Sequence, residues 1–377
     1  MRAGAGDEGV TAQRHYVFLG LTITSTWGNG HATTYRALLK ELAARGHKVT
    51  FLERDMPWYA ANRELAELPY CEVALYGSVA ELRERFRQTI READAVVVGS
   101  YVPDGIAVGK WVRGQRRTGV VFYDIDTPVT LAALKKNECA YLSREQVGQY
   151  DLYFSFTGGR TLDYIEKVLG SPCARALYCS VDPALYFPEQ QERRWDLGYL
   201  GTYAADRQRA LDELLVHVAE QMADGRFVVA GPQYPAEIAW PGNVERIEHL
   251  GAREHRAFYC GQRFTLNVTR ADMVRAGHSP SVRLFEAAAC GVPIVSDVWP
   301  GIEQFFEPGE EISLVRTSKD VLECLRMSED QRGEIAERAR CRTLKENTAA
   351  VRAGEFEYFV EGVIAGSCAS NLVSSPR

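Results

Sequence analysis

Short apolar runs alternate along the chain with stretches in which apolar residues recur at helical spacing. The first kind reads as buried strand and the second as amphipathic helix. In the first half, the runs at 16–23, 47–52, 95–99, 119–123, 152–155 and 174–178 predict strands. Helices are expected over 31–45, 79–91 and 159–169, with Gly46 stopping the first of them. Such alternation predicts a parallel sheet covered by helices. A charged run at 189–194, just after Pro183 and Pro188, reads as a linker, and the alternation then begins again. Further strands are expected at 197–200, 227–230, 244–247, 264–268 and 292–296. The fold class is therefore α/β, with two doubly wound halves facing a cleft. Ligands of open α/β sheets bind at the carboxyl ends of the strands.

One stretch, 278–297, organises the second half. Ser279 and Pro280 suit the first positions of a helix, Val282, Phe285 and Ala289 form an apolar stripe, and Gly291 fits the position just past its end. A helix N-terminus with free N–H groups and two serines, Ser279 and Ser281, is a seat for phosphate. Glu286 lies about 7.5 Å further along the axis, at about 1.5 Å rise per residue. That is the reach from a nucleotide's diphosphate to its ribose, whose hydroxyls a carboxylate accepts. Equally open from these residues is a surface helix on which Arg283 and Glu286 form an i,i+3 ion pair.

The series Ser281-x-Arg283-x-Phe285-Glu286-Ala287-x-x-Cys290-Gly291, followed by an apolar strand and then Phe306-Glu307-Pro308-Gly309-Glu310-Glu311, resembles the donor-site signature of GT-B glycosyltransferases. Within them it is most similar to the spore-maturation-protein-type group. The resemblance runs from about Tyr16 onward and is strongest over 277–311. It implies two Rossmann-like domains: an acceptor-side one at 1–188 and a donor-binding one at 189–352, with a last helix at 353–377 returning to the first. It also implies a nucleotide-sugar donor, a UDP-linked hexose, and retention of configuration. Retaining relatives carry a Glu, seven residues and a second Glu. Here Glu286 takes the second place and His278 the first, so the resemblance puts His278 near the transferred sugar.

Other candidate positions follow strands. Gly28, Asn29 and Gly30 form a glycine loop between the first strand and helix, able to let phosphate or acceptor approach the backbone. The same glycines are a partial dinucleotide fingerprint, with Glu53 where a ribose-binding acid would stand, but the third glycine is replaced by Thr33. That leaves an NAD-dependent dehydrogenase as a distant reading. His31, at a helix start, is disfavoured from protonation and can accept a proton or simply pack. In Asp124-Ile125-Asp126-Thr127-Pro128 the resemblance assigns Asp126 to the acceptor side. The pair also looks like an Asp-x-Asp metal site of another fold, but the doubly wound context favours protein groups over a metal. In the second half Gly201, Thr202 and Arg207 are expected diphosphate contacts, with Arg283. Gly231, His249 and Leu250 are loop positions against which the resemblance places the nucleobase, and Asn267, at the tip of its strand, reads first as a turn asparagine and second as a residue that shapes the pocket.

Composition narrows this further. A net charge of −6 over 377 residues speaks against a dedicated nucleic-acid binder. The nine cysteines include no Cys-x-x-Cys pair, and there is neither a signal-peptide pattern nor an apolar run of membrane length. A cytoplasmic protein is expected, needing no cofactor beyond its nucleotide-sugar co-substrate. The acceptor is left open among polysaccharide, protein, natural product and nucleobase. A non-catalytic sugar-nucleotide binder and a sugar-nucleotide epimerase are the alternatives.

Overall fold

A computed structural model describes residues 12–27, 30–65 and 67–366. The first half forms a seven-stranded sheet from β1 (His15–Gly20), β2 (Lys48–Arg54), β3 (Glu72–Tyr76), β4 (Ala95–Gly99), β5 (Val120–Asp124), β6 (Leu152–Ser155) and β7 (Ala174–Ala176). The second forms a six-stranded sheet from β8 (Trp195–Leu200), β9 (Phe227–Ala230), β10 (Val244–Ile247), β11 (Gln262–Asn267), β12 (Ile294–Asp297) and β13 (Ser313–Val315). All pairings within these sheets are parallel. Their orders are β3-β2-β1-β4-β5-β6-β7 and β10-β9-β8-β11-β12-β13. Each sheet therefore reverses its winding beside its first strand, at β1/β4 and at β8/β11, where a crevice opens.

The strands are apolar on both sides because helices cover both faces. Along β1 and β4, Val17, Leu19, Val96 and Val98 enter one core, while Tyr16, Phe18, Ala95 and Val97 enter the other. The helix His31–Ala44 lays Tyr35, Leu38, Leu39 and Leu42 into the second of these. The last helix, Ala349–Ile364, packs into the same core through Phe356, Val360 and Val363, with Phe356 stacked on Phe18 at 5.6 Å. It starts before the expected 353, and 367–377 lie outside the described residues.

Several local expectations are corrected. The first strand ends at Gly20 because the Glu53 carboxylate accepts from the N–H groups of Ile23 and Thr24 and the hydroxyls of Thr22 and Thr24, folding 21–24 into a turn. The helix expected over 79–91 is broken at Phe86 into Val79–Arg85 and Arg87–Glu92. Strands β3 and β13 were not legible: β3 is a half-exposed edge strand and β13 has only 3 residues. The key helix runs Val282–Ala289, so Ser279 and Pro280 precede it and Ser281 stands at its N-cap. Its end does match expectation. Gly291 adopts φ +69°, its N–H reaches the Ala288 carbonyl, and Val292 N–H reaches Ala287, a Schellman closure.

Candidate functional site

The carboxyl ends of β8 and β11 meet over the helix Val282–Ala289. Arg283, 8% exposed, donates to the Leu200 carbonyl and to Asn267 Oδ1 at 2.8 Å, and stacks over the Tyr199 ring at 4.9 Å. Glu286, 4% exposed, accepts from the Tyr259 hydroxyl at 2.9 Å. Burial and the neighbouring Glu286 charge push the Tyr259 phenol well above its ordinary value, so it stays a donor. The surface ion-pair alternative is thereby corrected. Both side chains are buried, and they turn to different partners. Asn267 is no turn residue but the last residue of β11, its amide bonded to Ser296 Oγ at 2.9 Å while its oxygen holds Arg283, as the pocket-shaping reading expects.

The loops beside this helix are fixed from behind. Gly231 has φ +139°, and a Cβ there would lie 2.2 Å from the Gly201 carbonyl oxygen, so only glycine lets the two loops approach. Tyr234 donates to that oxygen at 3.1 Å, and Arg246 donates to the Gly231 carbonyl at 2.9 Å while lying 4.2 Å over the Tyr234 ring. Arg207 donates to the Thr202 carbonyl, which fixes its side chain over the loop, and its Nε is buried without a partner among the described residues. Burial lowers the pKa of Arg207, and the charges of Arg283 and Arg270 push the same way, the mark of several guanidinium groups sharing one crevice. His249 is exposed and Leu250 half-buried, just beyond β10 and so two strands from β8.

The two serines part company. Ser281, at the helix N-cap, makes no side-chain capping bond. Ser279 is 2% exposed, and its hydroxyl pairs at 2.9 Å with Thr157 of the first half, so it joins the halves instead of opening onto a phosphate seat. His278 stands at the same junction, in the left-handed region at φ +45°. Its carbonyl accepts from Gly158 N–H at 2.9 Å, and its Nδ1 lies 3.2 Å from Gln304 Oε1. A Cβ on Gly159 or Gly301 would come within 2.3 or 2.4 Å of its ring, so the imidazole is held between a glycine from each half.

On the first sheet, His31 begins the helix His31–Ala44 and is 6% exposed. Burial holds its pKa down to about 4, so the ring is neutral near pH 7. It meets Tyr101 edge-on, with ring centres 5.4 Å apart. Tyr101, at φ +61°, in turn stands by Asp126, the N-cap residue of the helix Thr127–Lys136. Burial raises the Asp126 pKa, while the Arg270 charge and the nearby Tyr101 hydroxyl oppose the rise. Asp124 points elsewhere. Fully buried, it accepts from Tyr153 at 2.5 Å and Thr130 at 2.7 Å, and burial lifts its pKa to about 6. The two carboxylates of Asp-x-Asp thus serve different surroundings. Among the described residues no group of three or more His, Cys, Asp or Glu side chains is disposed to hold a metal. Gly30 precedes the His31 helix with open space where a Cβ would be, and Gly28 and Asn29 lie outside the described residues. Glu53 is fully buried and engaged by the turn it organises, so it is not placed to bind a ribose.

The structure therefore gathers His31, Tyr101 and Asp126 on one side, and Arg207, Arg283, Glu286, Gly201, Thr202 and Gly231 on the other. Sequence reasoning missed Tyr101, Arg270 and Tyr259. The first two follow β4 and β11, the strands at the winding reversals, and that position was the available signal.

Residues 207–357 match a family model described as glycosyl transferase-like. Comparison with curated proteins yields no match. Among solved structures, sucrose-phosphate synthase from Thermosynechococcus elongatus superposes with a TM-score of 0.67 at 14% identity, covering 94% of this chain and 100% of its own. Anabaena HepE in complex with UDP-glucose gives 0.67 at 12%, covering 93% and 100%. The catalytic domain of Arabidopsis thaliana starch synthase IV, bound to ADP and acarbose, gives 0.66 at 9%, covering 94% and 100%. The architecture is that of the GT-B fold, and among the described residues no helix is long and apolar enough to cross a membrane.

Proposed function

We propose that the protein is a GT-B glycosyltransferase that moves a hexose from a nucleotide sugar, UDP-linked, to a hydroxyl or amine acceptor. The observation that carries this reading is the buried Glu286 carboxylate, oriented by Tyr259 on a helix whose Arg283 ties together the ends of β8 and β11 at the winding reversal. Glu286 accepts the ribose hydroxyls. Arg207, Arg283, Ser281 and the Gly201-Thr202 backbone receive the diphosphate, and Gly231, His249 and Leu250 border the base. Positive charge fixed in a partly dry crevice stabilises the departing diphosphate as the glycosidic bond breaks. The acceptor lies by His31 and Asp126, and closure of the halves around His278 excludes water. In a retaining reaction the departing phosphate oxygen takes the acceptor's proton.

The division at 188 and 189, with the last helix serving the first domain, belongs to this reading, as does independence from a metal. The narrower likeness to the spore-maturation-protein-type group rests on the 277–311 motif alone. The hexose is proposed by analogy with HepE, whose structure holds UDP-glucose. Starch synthase IV holds ADP on the same fold, so the base has to be measured.

Calorimetry and thermal shift with UDP, TDP, GDP, ADP and NAD, with and without magnesium, test the reading on the wild type and on Glu286→Ala. A nucleotide at a hundred times its dissociation constant stabilises the fold by about 2.7 kcal/mol. The expected outcome is that one nucleoside diphosphate binds without metal and that Glu286→Ala abolishes binding. Binding of NAD alone, or an unaffected Glu286→Ala, would sink the proposal.

A further inference from the structure

The guanidinium groups of the crevice are unequally committed. Arg283 is tied to Leu200 and Asn267, and Arg207 to Thr202, so both are held to the donor half by its own carbonyl and amide oxygens. Arg270 is exposed, and among the described residues no hydrogen bond or ion pair engages its side chain. Its backbone, however, is anchored. The preceding Thr269 donates N–H and hydroxyl to the Asp297 carboxylate, at 3.0 and 2.8 Å, and the following Ala271 N–H donates to Asp206 at 2.9 Å.

Position gives this uncommitted cation its meaning. Arg270 is the N-cap residue of the helix Ala271–Ala276, which packs across the cleft against the helix Thr127–Lys136, itself preceded by Asp126. Its charge acts on Asp126 and Tyr101 of the first half and on Arg207 of the second. It therefore stands between the proposed acceptor side and the proposed diphosphate seat. A flexible arginine on a fixed base, with donors still unused, suits an anion that arrives with the substrate.

We infer that Arg270 is a catalytic residue that contacts the terminal phosphate of the bound nucleoside diphosphate from the acceptor side of the cleft. The inference rests on the donor reading above. During transfer the bond from the anomeric carbon to the phosphate oxygen breaks, its electron pair stays on that oxygen, and the acceptor oxygen bonds to the carbon. Arg270 meets the charge that gathers on the leaving oxygen, at the place where the acceptor's proton must arrive.

The test needs no knowledge of the acceptor. Dissociation constants for UDP and UMP, with ADP and AMP run in parallel, are measured by calorimetry at fixed ionic strength on the wild type, Arg270→Gln and Arg270→Lys. Expected is a loss of about tenfold in diphosphate affinity in Arg270→Gln with the monophosphate unchanged, partial recovery in Arg270→Lys, and an unshifted melting temperature, because the side chain is exposed. A wild type that prefers diphosphate over monophosphate by the same ratio as Arg270→Gln overturns this inference and leaves the donor reading standing. A wild type that binds no nucleotide overturns both.

Discussion

Arg283 and Glu286 show how far a residue's role depends on what surrounds it. Three positions apart on an exposed helix they would be a weak ion pair worth a few tenths of a kcal/mol. Buried, Arg283 instead ties the ends of β8 and β11 together, and Glu286 becomes a carboxylate aimed by a phenol. His31 makes a second case, with a sign that can be checked. Its folded pKa, about 4, lies below the ordinary histidine value because burial penalises the charged ring. The unfolded chain therefore takes up this proton first, and the neutral histidine's contribution is complete above about pH 6.5 and declines as pH falls towards 4. At pH 5 the loss is roughly 2 kcal/mol. Urea denaturation of wild type and His31→Gln at pH 7 and pH 5 should show the wild type losing more stability than the variant by about that amount. Equal losses would mean that His31 titrates normally.

Among the elements, the helix Val282–Ala289 is the most fully written in local sequence. Its apolar face, its length and its glycine stop are all short-range features, and its Schellman closure depends on Gly291 at φ +69°. A side chain there is forced into the left-handed region, which costs about 1–2 kcal/mol. Gly291→Ala should lower chemical stability by that amount, and nucleotide affinity should follow only as far as the helix end frays. The N-terminal end was less legible. Ser279 looks like a cap in sequence, yet it lies two residues too early and bonds Thr157, more than a hundred residues away. Nothing local to 278–282 encodes that partner. The edge strand β3 escaped for a related reason: with one side half-exposed, its pattern is not the continuous apolar run that marks the central strands.

In the whole molecule, the chain's last helix is bound to the first sheet by charge as well as by its apolar core. Glu357, 3% exposed, accepts from His47 Nε2 at 2.9 Å and from Arg45, and Glu361 accepts from Arg14 at 2.7 Å. His47 Nδ1 already accepts from Arg14 N–H, so its proton sits on Nε2 and is given to Glu357. Glu357→Ala leaves that buried N–H without its acceptor. A loss of about 3 kcal/mol is expected, read as a lower urea midpoint with an unchanged slope. A loss below about 0.5 kcal/mol would show that the helix is held by its apolar face alone.

The sequence by itself determined the alternation of strand and helix, the two doubly wound halves, the key helix with its glycine stop, and the edges of the sheets where chemistry gathers. These follow from periodicity and capping, whose energies lie between neighbours along the chain, so contiguous residues are enough to read them. Tertiary structure alone decided the partners of the polar groups: Glu286 with Tyr259, Ser279 with Thr157, Glu53 with its turn, and Arg270 at the cleft, uncommitted among the described residues. It also brought the Cys260 thiol against the Cys290 carbonyl, although the two lie thirty residues apart and form no Cys-x-x-Cys pair. A buried polar group must find a partner wherever the packed elements put one, and that distance is set in space, not along the sequence.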